Sequence, residues 1–421
     1  MKAVYPPASF SRAVWGACLI TVLLFASACA ANPPAPAPTL APATLPPAAT
    51  IPPATTTPSV IPQASPTAAR TAVPSAIPSA TQAAANLVVT PTLTVIDMLD
   101  EKNGWGLTAQ GVLRTADGGS QWMDITPPGL SEPASPPLGF FLNLETAWIL
   151  LPRDQNFSSG TLYRTTDAGK TWTSAKVPFS GGYLDFLDAQ HGWVLFASDC
   201  GAGSCGGSLF QTSDGGDTWT ELLKIDQDSY NKPLSLPLAG NKTGVTFLSL
   251  THGWVTGMEP MDNYAWLFTT QDGGRTWRHQ DLMIPAGYPR VQLVVDPPRF
   301  FSQQDGLLPV NFFGLDKSSR VFYITHDAGK TWDSTTPVGI SGAYSLISMK
   351  DMWVWDGVTL MVTQDSAKTW QSIKPNVNLS QMISQLDFVS KDTAWVLSMD
   401  ADGKVRLLNT TDGGSSWTPI P

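Results

Sequence analysis

Short apolar segments separated by polar turns follow one another from about residue 88 to the C-terminus. Between residues 183 and 223, the apolar positions predict four strands, at 183–187, 193–197, 208–212 and 218–223. Strands of this length, bounded by turns rich in Gly and Asp, are typical of all-β proteins. We find no long amphipathic pattern of the kind that predicts a helix. The pattern therefore predicts a series of antiparallel hairpins.

A pattern of the form Thr-x-Asp-x-Gly-x-Thr-Trp recurs seven times in this region. Its copies are 38 to 58 residues apart, and this period matches one four-stranded blade of a β-propeller. The seven copies predict an all-β, seven-bladed β-propeller over residues 87–421. The aspartates, each with the tryptophan five residues later, are Asp117 and Trp122, Asp167 and Trp172, Asp214 and Trp219, Asp272 and Trp277, Asp327 and Trp332, Asp365 and Trp370, and Asp412 and Trp417.

Each motif has the chemistry of a tight turn between two strands. A short acidic side chain can accept hydrogen bonds from turn amides, and the Gly two residues later tolerates a positive φ. The indole can cover the turn or pack on the next blade. The sixth copy has Ser366 and Ala367 in place of glycine, which predicts a strained turn or one of another type. Residues 87–90 are expected to add a strand to the seventh blade and close the ring.

A second repeated element, Gly-Trp-Val after an apolar strand, precedes each motif, with Leu307 in the tryptophan place of the fifth repeat. The turn before this element and the turn that holds the motif are both short, and alternate turns of an antiparallel sheet lie on opposite faces, so we expect both short turns on one face and all long loops on the other. Loops on a rigid scaffold commonly carry binding residues. The candidate partner-binding residues are Arg153, Asp154, Phe157, Glu259, Asp262, Tyr264, Tyr288, Arg290, Phe312, Phe313, Lys317 and Arg320. Phe312 and Phe313 are interpreted as an exposed anchor or a plug over the central channel.

The first 28 residues have the order of a bacterial secretory signal: Lys2 and Arg12, an apolar run, then small residues. Cys29 directly follows them, a placement that resembles the lipobox of bacterial lipoproteins and predicts lipidation of this thiol. Residues 26–28 also suit ordinary signal-peptidase cleavage, so free secretion is the alternative. Residues 29–86 are almost wholly Pro, Ala, Thr and Ser after Cys29, which predicts a disordered stalk.

Charge and cysteine usage narrow the possible partners. A net charge of −9 argues against nucleic acid or an anionic lipid surface, because both attract a basic stripe. Cys200 and Cys205, close together in an exported domain, predict a disulfide. Two cysteines without nearby histidine are poor zinc ligands. We predict no cofactor, no metal and no catalytic residue.

The repeats resemble the Asp-box propellers of the photosystem II assembly and stability factor family, and the same box occurs in sialidases. The first resemblance implies a non-catalytic scaffold that binds a partner protein; the second implies glycan binding or glycoside hydrolysis. The Arg-Ile-Pro signature of sialidases is absent from the sequence. We therefore predict a monomeric lipoprotein on the outer face of the bacterial cell membrane, binding an envelope or extracellular protein, with the glycan as the alternative.

Overall fold

The computed structural model describes residues 87–130, 136–152, 159–201, 203–315, 317–339, 342–379, 383–399 and 403–420. Within these ranges the fold is all-β, with one short 3₁₀ helix, Gln227–Asn231, whose N-terminus is capped by Asp226. None of the described helical segments has the length and apolar character needed to cross a membrane. The expected all-β class is confirmed.

The first three sheets are antiparallel, and their strands lie side by side in chain order from the second strand of the first sheet onward. The first contains β1 (Leu87–Val88), β2 (Leu93–Met98), β3 (Gly104–Thr108), β4 (Val112–Thr115) and β5 (Trp122–Asp124). The second contains β6 (Leu138–Phe141), β7 (Ala147–Pro152), β8 (Gly160–Thr165) and β9 (Thr173–Val177). The third contains β10 (Tyr183–Phe186), β11 (Gly192–Gly201), β12 (Ser204–Thr212) and β13 (Thr220–Ile225).

A ten-stranded sheet holds the fourth and fifth repeats together. Its strands are β14 (Asn241–Phe247), β15 (Gly253–Met258), β16 (Leu267–Thr270), β17 (Arg278–His279), β18 (Val291–Val295), β19 (Arg299–Phe300), β20 (Gly306–Gly314), β21 (Ser318–Thr325), β22 (Asp333–Ser334) and β23 (Val338–Gly339). The inner strand of the fifth repeat is divided into β18 and β19 around Pro297 and Pro298, which cannot donate ladder hydrogen bonds. One residue pair, Met258 with Val294, joins β15 to β18.

The last two sheets return to four antiparallel strands in chain order. The sixth repeat contains β24 (Tyr344–Leu346), β25 (Met352–Trp355), β26 (Leu360–Thr363) and β27 (Gln371–Ile373). The seventh contains β28 (Ile383–Phe388), β29 (Ala394–Met399), β30 (Val405–Thr410) and β31 (Thr418–Pro419).

Each of the seven motif aspartates lies in a turn between the third and fourth strands of its repeat; we call these the Asp turns. In the fifth, Asp327 accepts hydrogen bonds from the amide (2.9 Å) and hydroxyl (2.7 Å) of Thr331, and the Thr325 hydroxyl accepts from the Gly329 amide. In the sixth, Ser366 and Ala367 adopt φ of 65° and 56°. The sixth turn is therefore of the same form as the others and is strained.

Aromatic stacking joins most repeats to the next. The tryptophan of the second strand packs on the last residue of the first strand of the following repeat, as in Trp148 on Phe186 (3.7 Å), Trp193 on Phe247 (3.7 Å) and Trp353 on Phe388 (4.1 Å). In the fifth repeat, Leu307 and Leu346 share a core cluster instead. Large, flat faces in contact bury apolar area between neighbouring sheets, and this is the main stabilising term of the fold.

The last sheet contacts the first, so the contacts between sheets form a closed ring. The Met98 amide donates to Asp387 (2.7 Å), and the Trp395 indole donates to the Gly118 carbonyl (2.8 Å). The expectation that residues 87–90 join the seventh repeat is wrong: Leu87 and Val88 pair with β5 of the first sheet. The outer strand β31 offers a poor edge for pairing, because it has two residues and one is Pro419, which lacks an amide proton.

Candidate functional site

Two sides of the molecule differ in the length of their connections. The Asp-turn side carries the seven Asp turns and the short turns between first and second strands. The opposite side, here called the hairpin side, carries the connections between second and third strands and those between repeats. Two hairpins are long there, β11–β12 and β20–β21. The sequence predicted strands only at 193–197 and 208–212 in the first of these and placed Phe312 and Phe313 of the second in a loop. Backbone pairing makes both segments strands, with a register shift between Ser198 and Gly201 in the first.

The tip of the β11–β12 hairpin is fastened at several points. Cys200 and Cys205 are joined by a disulfide across the strand pair. The Cys205 amide donates to Leu238 O (3.2 Å), and the Gly240 amide donates to Gly203 O (2.9 Å). The segment that leads into the fourth repeat is therefore bound to this tip.

Lys242, at the start of the fourth repeat, is buried behind this tip. Its ammonium group donates to four backbone carbonyls, those of Cys205 (2.7 Å), Pro237 (3.0 Å), Leu238 (3.1 Å) and Gly240 (3.1 Å). It also lies 5.1 Å from the ring centre of Trp266. A buried cation is tolerated when every donor has an acceptor, so Lys242 ties two repeats together. Burial lowers the pKa of Lys242 to about 8.

A ridge of side chains continues from this tip across the fourth and fifth repeats. Asp262 forms an ion pair with Arg290 (2.8 Å), and both side chains are well exposed. The Asn263 amide donates to Val291 O (2.7 Å), and the Lys317 ammonium lies 5.0 Å from the ring centre of Tyr288.

Glu259 and Tyr264 flank this loop. Glu259 is half-buried, and its carbonyl accepts from the Met261 amide (2.7 Å). Tyr264 stacks on His279 (4.7 Å). The structure thus brings five of the sequence candidates, Asp262, Tyr264, Tyr288, Arg290 and Lys317, into contacts along this ridge.

Three candidate partner-binding residues are buried and cannot contact a partner in this structure: Tyr288, Phe312 and Arg320. Phe312 and Phe313 are neither a paired anchor nor a channel plug. They are consecutive residues of β20, so their side chains point to opposite faces. Phe312 packs in the core against Tyr288 (5.1 Å), while Phe313 is 45% exposed. Arg153, Asp154, Phe157 and Cys29 lie outside the described residues.

Several exposed large apolar side chains lie on the hairpin side. Leu315, at the tip of the β20–β21 hairpin, is 93% exposed, and Val358, in the corresponding turn of the sixth repeat, is 76% exposed. Met261, Phe313 and Tyr183 are exposed on the same side. On the Asp-turn side, Leu250 is the exposed large apolar residue among those described. Leu315, Val358, Met261 and Tyr183 were not among the sequence candidates.

The first strands of neighbouring sheets contact one another and form the inner wall of the ring. One position of this wall, opposite the tryptophan of the second strand, recurs in every repeat; we call it the axial row. It consists of Asp97, Phe140, Asp185, Thr246, Arg299, Ser345 and Asp387.

Several axial-row side chains brace the next repeat. The Asp185 carboxylate accepts from the Phe247 amide (2.7 Å), and the Ser345 hydroxyl accepts from the Phe388 amide (3.0 Å). Burial raises the pKa of Asp185 to about 7, against the opposing effect of the Phe247 N–H. The Asp185 carboxyl group therefore braces the next repeat, and its charge depends on pH.

A second buried polar network lies between the fifth and sixth repeats. The Tyr344 hydroxyl donates to Asp296 (3.1 Å), and the Arg320 guanidinium stacks 4.3 Å from the ring centre of Tyr344. Arg320 also donates to Asn311 (2.8 Å) and to Gly342 O (3.1 Å). Burial raises the pKa of Asp296 to about 6, while Arg320 and Tyr344 lower it. In the described part of the chain, no group of three His, Cys, Asp or Glu residues is placed to hold a metal ion.

Comparison with protein families gives a partial match. The family model for sortilin and neurotensin receptor 3 matches residues 110–232. Vacuolar protein sorting/targeting protein 10 from Ajellomyces capsulatus strain H143 is 32% identical over 125 residues, 25% of this chain and 9% of that protein. Its counterpart in strain G186AR is 33% identical over 125 residues, 25% of this chain and 8% of that protein. This chain thus spans under a tenth of the length of these relatives.

Solved structures share the fold over most of the chain. YCF48, a photosystem II assembly factor solved with a bound D1 peptide, is 16% identical with a TM-score of 0.50, covering 79% of this chain and 97% of that one. A GH74 xyloglucanase from Xanthomonas campestris is 12% identical, with a TM-score of 0.50, covering 79% and 55%. An oligogalacturonate lyase from Vibrio parahaemolyticus is 9% identical, with a TM-score of 0.53, covering 78% and 91%. The fold is therefore propeller-like, and it occurs in both binding proteins and enzymes.

Proposed function

We propose that this protein is a non-catalytic, seven-bladed β-propeller that binds a polypeptide partner on its hairpin side. The seven Asp turns support seven blades, two of them within the ten-stranded sheet. The secretory signal and Cys29 support export and lipid anchoring at the outer face of the bacterial cell membrane, with residues 29–86 as the stalk. We further propose a monomer.

The exposed apolar side chains at the tip of the β20–β21 hairpin carry this proposal. Phe313 and Leu315 lie near the end of the β20–β21 hairpin and are exposed. Next to them, Lys317 contacts the ring of Tyr288 and Arg290 forms an ion pair with Asp262, so the surrounding side chains are held in place. Exposed apolar side chains rimmed by polar groups mark protein interaction surfaces. Because the backbone of the hairpin is already held in place, little conformational entropy is lost when a partner binds. Aromatic or large aliphatic side chains can then act as anchors.

The comparisons support a polypeptide partner. The YCF48 structure of the same fold holds a D1 peptide, and the local sequence likeness is to a protein named for vacuolar sorting and targeting. A carbohydrate ligand is the alternative, because the fold is shared with a xyloglucanase and an oligogalacturonate lyase. No hairpin-side feature of the described residues favours it over a polypeptide.

The test replaces the exposed hairpin tip and compares it with an exposed residue on the other side. Phe313→Ser with Leu315→Ser should weaken capture of the cross-linked partner at least tenfold, about 1.4 kcal/mol of binding free energy. Leu250→Ser is the matched control, since Leu250 is 48% exposed on the Asp-turn side and should capture the partner normally. Both variants should keep the wild-type melting temperature.

Equal capture by the tip variant and the wild-type protein would contradict the hairpin side as the binding surface. A glycan array run with the same proteins distinguishes the ligand class. Glycan binding with turnover of the bound sugar would replace the polypeptide proposal with the carbohydrate alternative.

A further inference from the structure

The junction between the last and first sheets differs chemically from the other junctions. Neighbouring places of the axial row are occupied there by Asp387 and Asp97. At no other junction are two acidic residues of the row neighbours; Asp185, for example, lies between Phe140 and Thr246. Two carboxyl groups therefore face each other where the chain closes on itself.

Hydrogen bonds hold Asp387 and Gln385 against the backbone on either side of Asp97. The Met98 amide donates to Asp387 Oδ2 (2.7 Å), and Met98 directly follows Asp97. Gln385 reinforces the same contact, because its side-chain oxygen accepts from the Ile96 amide (2.9 Å) and its side-chain nitrogen donates to Ile96 O. Asp97 is 4% exposed and Asp387 is 3% exposed. Their separation is thus set by backbone that cannot shift without opening the junction.

Charge is unbalanced at this junction. Arg299 is the cation that acts on both carboxyl groups, and both act on it in turn. Two ionised carboxylates against one guanidinium would leave one uncompensated negative charge in a buried site, which is unfavourable. No described residue donates a hydrogen bond to the Asp97 carboxyl group. A single proton removes the excess charge.

Burial raises the pKa of Asp97, and the charge of Asp387 raises it further, while Arg299 lowers it. Burial likewise raises the pKa of Asp387, against the Met98 N–H and Arg299. A pair of this kind loses its protons in two coupled steps. Because the folded-state pKa values lie above the unfolded ones, the stabilisation is complete at low pH and is lost as the pH rises through the folded-state values.

We propose that Asp97 and Asp387 form a proton-operated clasp, in which one proton held by the pair keeps the ring closed and its loss opens the contact between the first and last sheets. Met98 and Ile96 report on the clasp, because their amides are bonded directly across it. The clasp would make closure of the ring weaker in alkaline surroundings than in neutral or acidic ones.

The experiment measures amide exchange protection of Ile96 and Met98 between pH 5 and pH 9. In the wild-type protein, the protection factor should fall at least tenfold over this range. A tenfold change corresponds to a difference of one unit between the folded-state and unfolded-state pKa values. Asp97→Asn leaves one carboxylate opposite Arg299, so protection should stay within about twofold. Asp387→Asn keeps a carbonyl acceptor for the Met98 amide and should behave alike.

Asp185→Asn is the matched control. Asp185 is an equally buried carboxyl group of the axial row, but it bonds to Phe247 and has no carboxyl neighbour in the row. This variant should keep the wild-type fall in protection at Ile96 and Met98. The clasp is refuted if the Asp97 and Asp387 variants retain that fall, or if the Asp185 variant abolishes it. Either clasp variant alone decides the matter if the other does not fold.

Discussion

Ser366 and Ala367 adopt left-handed backbone conformations at the two places of the sixth Asp turn where the seventh has Gly413 and Gly414. Side-chain hydrogen bonds hold the turn in this form: the Ala367 amide donates to Thr363 (3.1 Å), and the Thr369 amide and hydroxyl donate to Asp365 (3.0 and 2.6 Å). A left-handed residue other than glycine costs about 1–2 kcal/mol. The motif therefore imposes the turn even without the residue best suited to it.

Replacing Ser366 with Gly should raise the free energy of unfolding by about 0.5–1 kcal/mol, because relief of the left-handed strain exceeds the added backbone entropy of glycine. Equilibrium denaturation measures the change. Ser415→Gly, in the seventh turn at a residue without positive φ, should destabilise the protein instead. A loss of stability in the Ser366 variant would show that the sixth turn is not strained.

The sequence identified the residues of the motif but not their partners in the next sheet. The last residue of each first strand lies seven residues before the recurring tryptophan position, as in Phe186 with Trp193 and Phe247 with Trp254. This constant spacing was a usable signal. Which tryptophan each phenylalanine contacts was not predictable, because the stacking joins different repeats and no periodic pattern within one repeat encodes it.

Two hairpins are longer in the structure than the sequence predicted. Residues 199–207 contain four glycines, which weaken any strand pattern, yet they extend β11 and β12. The cause lies in contacts distant along the chain: the disulfide, the bonds to residues 238–240 and the four carbonyls around Lys242. The β20–β21 hairpin was likewise missed, because Phe312 is buried by Tyr288 and Leu293 of another segment.

Lys242→Met should destabilise the protein by about 2–4 kcal/mol, because it removes the charged donor from four backbone carbonyls, two of which, those of Cys205 and Gly240, bond to it in a buried site. The loss should appear first as faster exchange of the Cys205 and Gly240 amides at the hairpin tip. Lys224→Met is the control, since its side chain is 69% exposed and pairs with Asp226 (3.2 Å), so little change is expected. Equal stability losses in the two variants would contradict the role of the carbonyl cage.

The ring closes through side chains, and the extra strand β1 contributes only the partly buried Val88 to the apolar cluster at this junction. The first sheet is built from residues before 125 and the last from residues after 382, so no sheet is shared between the two ends of the described chain. Gln385, Asp387 and Trp395 provide the contacts across the junction instead. The motif count predicted the repeats, but the means of closure depended on contacts almost 290 residues apart and could not be predicted.

A truncation and a substitution distinguish the contribution of β1 to stability from that of Gln385. Of the described residues, a chain that begins at Pro91 loses only 87–90, in which β1 pairs through two residues at an outer edge, and its free energy of unfolding should change by less than about 1 kcal/mol. Gln385→Ala removes both hydrogen bonds to Ile96 and should cost about 1–3 kcal/mol. Chemical denaturation of both proteins provides the comparison. A larger loss on truncation than in the Gln385 variant would make β1 part of the closure.

The pairing of Met258 with Val294 makes the fourth and fifth repeats one continuous hydrogen-bonded sheet. Among the described residues, the other neighbouring sheets are not joined by paired strands; side-chain contacts and single backbone hydrogen bonds, such as Gly240 N–H to Gly203 O, connect them. We therefore expect local opening to be rarer between the fourth and fifth repeats than at the other junctions. It should be more frequent at the junction where the first and last sheets meet.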